Sequence, residues 1–296
     1  MQSLFQNKRT IAALVIPPIG IMLFAIVAPL LVSIYFSFTK WSGFGAIKFV
    51  GIQNYIALLG SDQTFWRSLF NVGALIIITV FIQNPIAFLL AAALTKLPEK
   101  SSRIFRTIYF IPATLSLVVV TKLWVNIFNP TYGMLNKLLH FIGFQDISIA
   151  WLSNPKTALG SVIWIMIWQG FGWALLFYYA GLVTVPAELE EAARVDGANR
   201  MQTFIYIIIP YLFPVIQSVI IIDVISSFKQ MEMVYLSTEG GPGNFTQFIA
   251  VYLYQKAFKY SEYGYGNAIS VIFVLLAVAA TIALQKMFNR LTDGEA

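Results

Sequence analysis

EAARVDGANRMQTFIYIIIP, residues 191–210, runs a charged segment straight into an apolar one. Just upstream, Pro186 suits the first position of a helix. Glu188, Glu190 and Glu191 then fall in the first turns, where negative charge complements the helix N-terminus. Glu190 and Arg194 form an i,i+4 pair in the favoured order, worth about 0.3 kcal/mol. Leu189, Ala192 and Ala193 share a face that the two alanines leave shallow, so another protein can approach the backbone closely. Gly197 stops the helix, because it accepts a left-handed backbone without a Cβ clash. A second short helix carries Met201 and Phe204 toward Pro210. The spacing therefore predicts a polar helix-turn-helix over about 185–204, set against an apolar helix that begins near 205.

The rest of the chain is mostly apolar. Hydrophobic residues make up 58% of the 296 and charged residues 11%, and mean hydropathy is +0.76. Soluble domains carry about 25% charged residues, so this chain cannot cover itself with a polar surface and the bilayer must be part of its solvent. Six stretches are long enough to cross it, near 11–38, 69–94, 106–128, 158–182, 205–228 and 266–288. In lipid each must satisfy its own backbone polar groups, and so each is predicted to be a helix. The first stretch is too long for a secretory signal, contains Pro17-Pro18 and Pro29, and has no small-residue cleavage site; it reads as a retained span. The fold class is all-α, a polytopic membrane protein of six transmembrane helices forming one membrane domain over 1–296. Lys96, Lys100, Arg103 and Arg106 crowd the short link between the second and third spans. By the positive-inside rule that link, Lys8, Arg9, the segment around Glu191, Lys286 and Arg290 share the cytoplasmic side, and both termini with them.

The punctuation Glu191-Ala192-Ala193, Gly197, Ile207, Ile209 and Pro210 resembles the EAA loop of ABC importer permeases, EAA-x3-G-x9-I-x-L-P, with Ile209 in place of Leu. Further stretches resemble the carbohydrate-uptake branch of that family. They are FVGIQNY (49–55), FWRSLFN (65–71), IYFIPATLS (108–116), YGMLNKLL (132–139) and SFKQMEMVYLSTEGGPGNFT (227–246); in the last, Met231 and Glu232 stand where Phe and Asp are common. The likeness covers nearly the whole chain and extends to the larger permease subunit of the maltose transporter, without its extra N-terminal spans and outer domain.

This resemblance implies a type I ABC importer permease fold in the bacterial cytoplasmic (inner) membrane. The chain would form half of a solute pathway, with a second homologous permease as the other half. Two ATP-binding subunits would dock from the cytoplasm, and an extracytoplasmic solute-binding protein would deliver the sugar. Glu190, Glu191, Ala192, Ala193, Asp196, Gly197 and Ala198 would form the element that couples to the ATPase. Sugar recognition needs aromatic faces for ring faces and side chains that exchange hydrogen bonds with hydroxyls. By the same resemblance, Gln169, Gly170 and Trp173 of the fourth span and Asp223, Ser227 and Gln230 at the fifth would contact the solute, with Ser116 and Asn126 added from the third.

Two ionisable residues lie inside predicted spans, Lys122 and Asp223, where charge is expensive. Asp223 either accepts hydrogen bonds from sugar hydroxyls or pairs with Lys122 or Lys229. Lys122 either snorkels outward or faces the pathway, which would favour an acidic saccharide. Asn84-Pro85 in the second span is either a hinge or a packed bend. The chain has no cysteine and a single histidine, His140, which argues against a metal site or a catalytic triad. There is no phosphate-cradling G-x-x-x-x-G-K-[ST] loop, and Gly240-Gly241-Pro242-Gly243 lacks the Lys and reads as a turn. The chain is expected to bind no cofactor itself, with ATP and Mg held by the partner ATPase, to perform no covalent chemistry and to bind no nucleic acid. An ion-coupled secondary transporter, a membrane-embedded enzyme, and an ABC permease for a glycerol phosphate or another polar solute are the rival readings.

Overall fold

Proline placement shapes the helices. The computed structural model describes residues 8–144 and 148–293, with side chains described over 11–144 and 148–290. In chain order α1 (Lys8–Met22) and α2 (Ala28–Ser37) are joined by a π-helical turn at Leu23–Val27, and β1 (Thr39–Lys40), β2 (Lys48–Phe49) and α3 (Gln53–Gly60) follow. A second π-turn, Thr79–Gln83, joins α4 (Gln63–Ile78) to α5 (Asn84–Thr95). After α6 (Glu99–Thr114), α7 (Leu117–Ile127), α8 (Met134–Phe141), α9 (Ala158–Val183), α10 (Ala187–Val195) and α11 (Arg200–Thr203) comes a third, Phe204–Ile208. It leads into α12 (Ile209–Tyr211), α13 (Phe213–Lys229), α14 (Glu232–Ser237) and α15 (Ile249–Tyr254); a fourth, Gln255–Lys259, precedes α16 (Tyr263–Asp293). The first three π-turns each end two residues before a proline: Pro29, Pro85 and Pro210. A proline ring collides with the carbonyl four residues back and offers it no N–H. Widening the preceding turn to i→i+5 relieves that conflict without stopping the helix.

Helices at 11–37, 63–95, 158–183 and 263–290 are each long and apolar enough to cross a bilayer. Two more crossings are bent pairs, α6 with α7 at 95° and the α11–α12 segment with α13 at 64°. Counting each pair once yields the six spans expected. The third span differs from the single helix expected over 106–128. It starts at Glu99 and breaks where Leu115 and Ser116 both take extended backbone (ψ 147° and 138°), after a last turn that Pro112 has already weakened by supplying no N–H. The fifth bends at Leu212, between Pro210 and Pro214, because Pro214 cannot return a hydrogen bond to the turn before it.

The chain forms two compact bodies, one comprising the segment up to Asp62 with Leu253–Leu275, the other Gln63–Tyr252 with the segment from Leu276 onward. In the first, β1 pairs antiparallel with β2, Thr39 opposite Phe49. Asn54 Nδ2 donates to the carbonyls of Ser37 (2.8 Å) and Thr39 (2.9 Å), tying α3 to the end of the first span. In the second, α5, α9 and the α12–α13 corner bury Ala87, Ala91, Ala174, Leu175, Tyr178 and Leu212. Lipid tails are as apolar as leucine, so helices associate here by close contact of small residues and by interhelical hydrogen bonds. Gly172 shows how close: a Cβ there would stand 2.1 Å from the Tyr109 carbonyl oxygen of α6.

Candidate functional site

An open cavity of about 270 Å³ lies between the α4–α5 span, α9 and α13. Its polar lining is Thr79, Gln83, Asp223, Ser226, Ser227 and Gln230; Leu75, Met166 and Trp173 supply apolar wall, and Gly170 bares backbone. Trp173 packs on Phe177 with centroids 4.2 Å apart, which sets the indole at the cavity edge. Five of the residues expected to contact solute therefore come together: Gly170, Trp173, Asp223, Ser227 and Gln230. Gln169 is half-buried on α9 and does not line this cavity, and Ser116 is exposed at the α6–α7 break, also outside it. The Asn126 side chain accepts a hydrogen bond from the Tyr132 hydroxyl (3.3 Å).

Asp223 is not held by a lysine. Neither Lys122 nor Lys229 lies within ion-pair distance of it, and both are exposed. Its partner is Asn84, whose Nδ2 donates to Asp223 Oδ2 at 2.9 Å while Asn84 Oδ1 accepts from the Tyr178 hydroxyl at 2.9 Å. Three spans are thereby linked through the buried Asn84 and Tyr178 and the half-buried Asp223. A carboxylate in a span needs such a donor, since an unpaired one is strongly disfavoured. Ser227 is buried and gives its hydroxyl proton to the Asp223 carbonyl (2.8 Å), so toward the cavity it can only accept. Sequence reading missed Thr79, Gln83 and Asn84. Asn84-Pro85 reads in the sequence as a hinge or a packed bend, although a polar run beside a proline inside an apolar span was the available signal of a site.

At the other recognisable element, α10 begins after Pro186, which has extended backbone (ψ 135°) and stands one position before the helix, not in its first turn. Gly197 is left-handed (φ 84°), and the Gly197 and Ala198 N–H groups reach the Arg194 and Ala193 carbonyls at 3.1 and 2.9 Å. This is the double-bonded Schellman stop that the glycine predicts. Asn199 and Gln202 then form a reciprocal capping box for α11. The expected Glu190–Arg194 ion pair is not made. Both side chains instead border a separate cavity of about 870 Å³ shared with Lys96 and Arg200; on an exposed helix such a pair gains too little to hold two long side chains together. Only Ala193 of α10 is buried, while Glu191, Ala192 and Val195 are exposed. Gly240–Gly243 folds as a turn, with Gly241 N–H on the Thr238 carbonyl (2.9 Å) and Thr246 N–H on the Gly240 carbonyl (3.2 Å).

Comparison with known proteins agrees with this architecture. The chain is 33% identical to a probable ABC transporter permease protein, YurN, of Bacillus subtilis (strain 168), across 96% of this chain and 97% of that one. It is 34% identical to the arabinooligosaccharides transport system permease protein AraP of the same organism, across 82% of this chain and 77% of the relative. A bacterial alginate ABC transporter, solved in complex with its alginate pentasaccharide-bound periplasmic protein, superposes with a TM-score of 0.82 over 95% of this chain and 94% of that one. At 23% identity this likeness speaks for the fold. Residues 83–293 match the family described as binding-protein-dependent transport system inner membrane component. By that match and by its near full-length relatives, the chain belongs to this family of ABC transporter permeases.

Proposed function

We propose that the chain is the permease half of an ATP-driven importer of oligosaccharides, with the cavity at Asp223 as its solute-contact site. The observation that carries this reading is the cavity lining. Hydroxyl, amide and carboxylate groups from three spans converge beside one exposed indole and one bare glycine backbone, the complement of a sugar with a polar rim and an apolar ring face. The relatives' substrates, arabinooligosaccharides among them, support the carbohydrate class.

In this reading a second permease completes the pathway, two ATPase subunits bind from the cytoplasm, and a binding protein delivers sugar from outside. Both termini and α10 are cytoplasmic. The exposed face at Glu190–Ala193, ended by Asp196, Gly197 and Ala198, seats in a groove of the ATPase. Closure of the ATPases pushes α10, and α11 passes the push to the bent fifth span. The rigid Schellman stop matters because a loose joint would dissipate the displacement. The chain itself does no covalent chemistry; ATP and Mg belong to the ATPase.

Reconstitution tests this. Vesicles containing the four-subunit complex and its binding protein should take up a labelled neutral oligosaccharide only with ATP inside. Uptake driven by an ion gradient without ATP would defeat the proposal.

A further inference from the structure

We propose that this cavity takes neutral, hydroxyl-rich saccharides and rejects uronates and sulfonated sugars, with Gln83 of the second span as a specificity-determining contact; the inference rests on the importer reading above. Among the residues lining the cavity, Asp223 is the one ionisable side chain. Lys122 and Lys229 are exposed and line no part of it. An anionic sugar would therefore leave water, meet no cation from this chain's lining, and face a carboxylate. Removing a charge from water without a partner is far more costly than moving a hydroxyl that finds its hydrogen bonds.

The same lining suits hydroxyls. Asn84 holds Asp223 by one carboxylate oxygen, Oδ2, and Oδ1 accepts no hydrogen bond from the described residues, which leaves it for a sugar O–H. Gln83 is 5% exposed. Its side-chain amide makes no hydrogen bond with the described residues, and its Nε2 looks across to Gly170, 3.7 Å from where a Cβ would stand. Thr79, 6% exposed, likewise makes no side-chain hydrogen bond with the described residues. Neither residue has a polar atom sealed from solvent without a partner, so the amide and the hydroxyl open on the cavity, where a ligand carrying both donors and acceptors can pair with them.

Helix geometry explains the position of Gln83. Leu75, Thr79 and Gln83 are spaced by four, and in an unbroken α-helix each step of four advances about 40°, so Gln83 would stand about 80° around from Leu75. The π-turn at Thr79–Gln83 rotates less per residue and brings Gln83 back onto the cavity face.

The test is equilibrium binding to the purified four-subunit complex without binding protein. The probes are uncharged arabino-, gluco- and galacto-trisaccharides and trimannuronate. The expected result is that a neutral trisaccharide binds at least tenfold tighter than trimannuronate. Gln83→Ala should weaken the neutral ligand about five- to tenfold, the loss of one or two hydrogen bonds, and Gln83→Lys should raise trimannuronate binding. Trimannuronate binding as tightly as the neutral sugars overturns the inference in the unmodified complex, with no variant required. So does a folded Gln83→Ala complex with unchanged affinity. If ATP-driven sugar uptake persists in either case, the importer reading stands and only the charge rule falls. If no probe binds while ATP-driven sugar uptake persists, the inference falls and the importer reading stands.

Discussion

Gly170 and Gly172 lie two residues apart on α9, and the structure separates their roles sharply. An alanine Cβ at 172 would sit 2.1 Å from the Tyr109 carbonyl oxygen, 2.7 Å from its carbon and 2.8 Å from the Phe110 Cα. Close C···O contacts in proteins stay near 3.3 Å, so α6 must retreat by about 1 Å. All three obstructing atoms are backbone, and no side chain can rotate away to make room. That retreat would loosen the packing of Tyr109 on Phe171, now at 5.7 Å between centroids. Overpacking of this kind costs about 1–3 kcal/mol, against the ~1 kcal/mol that Ala gains over Gly inside a helix. At 170 the nearest atom is Gln83 Nε2 at 3.7 Å, an ordinary contact, so only the helix gain remains. Thermal unfolding of the detergent-solubilised complex, followed by size-exclusion retention after heating, should show Gly172→Ala destabilised and Gly170→Ala equal to or above the unsubstituted protein. If Gly172→Ala is as stable as the unsubstituted protein, or Gly170→Ala is the weaker of the two, the account of α6–α9 packing is wrong.

Three further outcomes follow from the same reasoning. Asn84→Ala strips partners from both the Tyr178 hydroxyl and Asp223, so it should destabilise by about 1–3 kcal/mol, whereas Tyr178→Phe removes one bond and should cost about 0.5–1.5 kcal/mol; a double-mutant cycle on unfolding should find the pair strongly non-additive. Gly197→Pro fixes φ near −65° where the chain needs 84° and deletes the N–H that reaches Arg194. Sugar-stimulated ATP hydrolysis should collapse in that variant while membrane insertion, checked by protease accessibility, survives. Glu99→Gln breaks the Arg106 contact at 2.9 Å, but the carboxylate is 63% exposed. Its unfolding should shift by less than about 0.5 kcal/mol, the more so because Arg106 also packs over the Tyr179 ring at 4.1 Å.

Much of this protein could be read before any coordinates. Composition made the bilayer a necessary solvent, and the lengths of the apolar runs set six crossings, because a backbone in lipid must satisfy its own hydrogen bonds. Gly197 marked the stop of α10 on the same footing: its need was local, a left-handed residue with two N–H groups behind it. Asn84-Pro85 signalled that the second span would deviate, as a hinge or a packed bend, though not which. Pro85 widened a turn that stayed continuous, while Pro210 and Pro214 together bent the fifth span at Leu212. Only the tertiary structure decided what faces what. Asn84 and Asp223 are 139 residues apart, and nothing in either span's periodicity says that they meet. Gln169 and Gly170 are neighbours in the chain, yet only Gly170 reaches the cavity. Hydrophobic pattern reports how wide an apolar face is; a span that is apolar nearly all round, as α9 is, leaves its rotation about its own axis open. That rotation comes from contacts such as Gly172 against Tyr109, and from π-turns that reset the angular phase, which exist only once the helices are packed together.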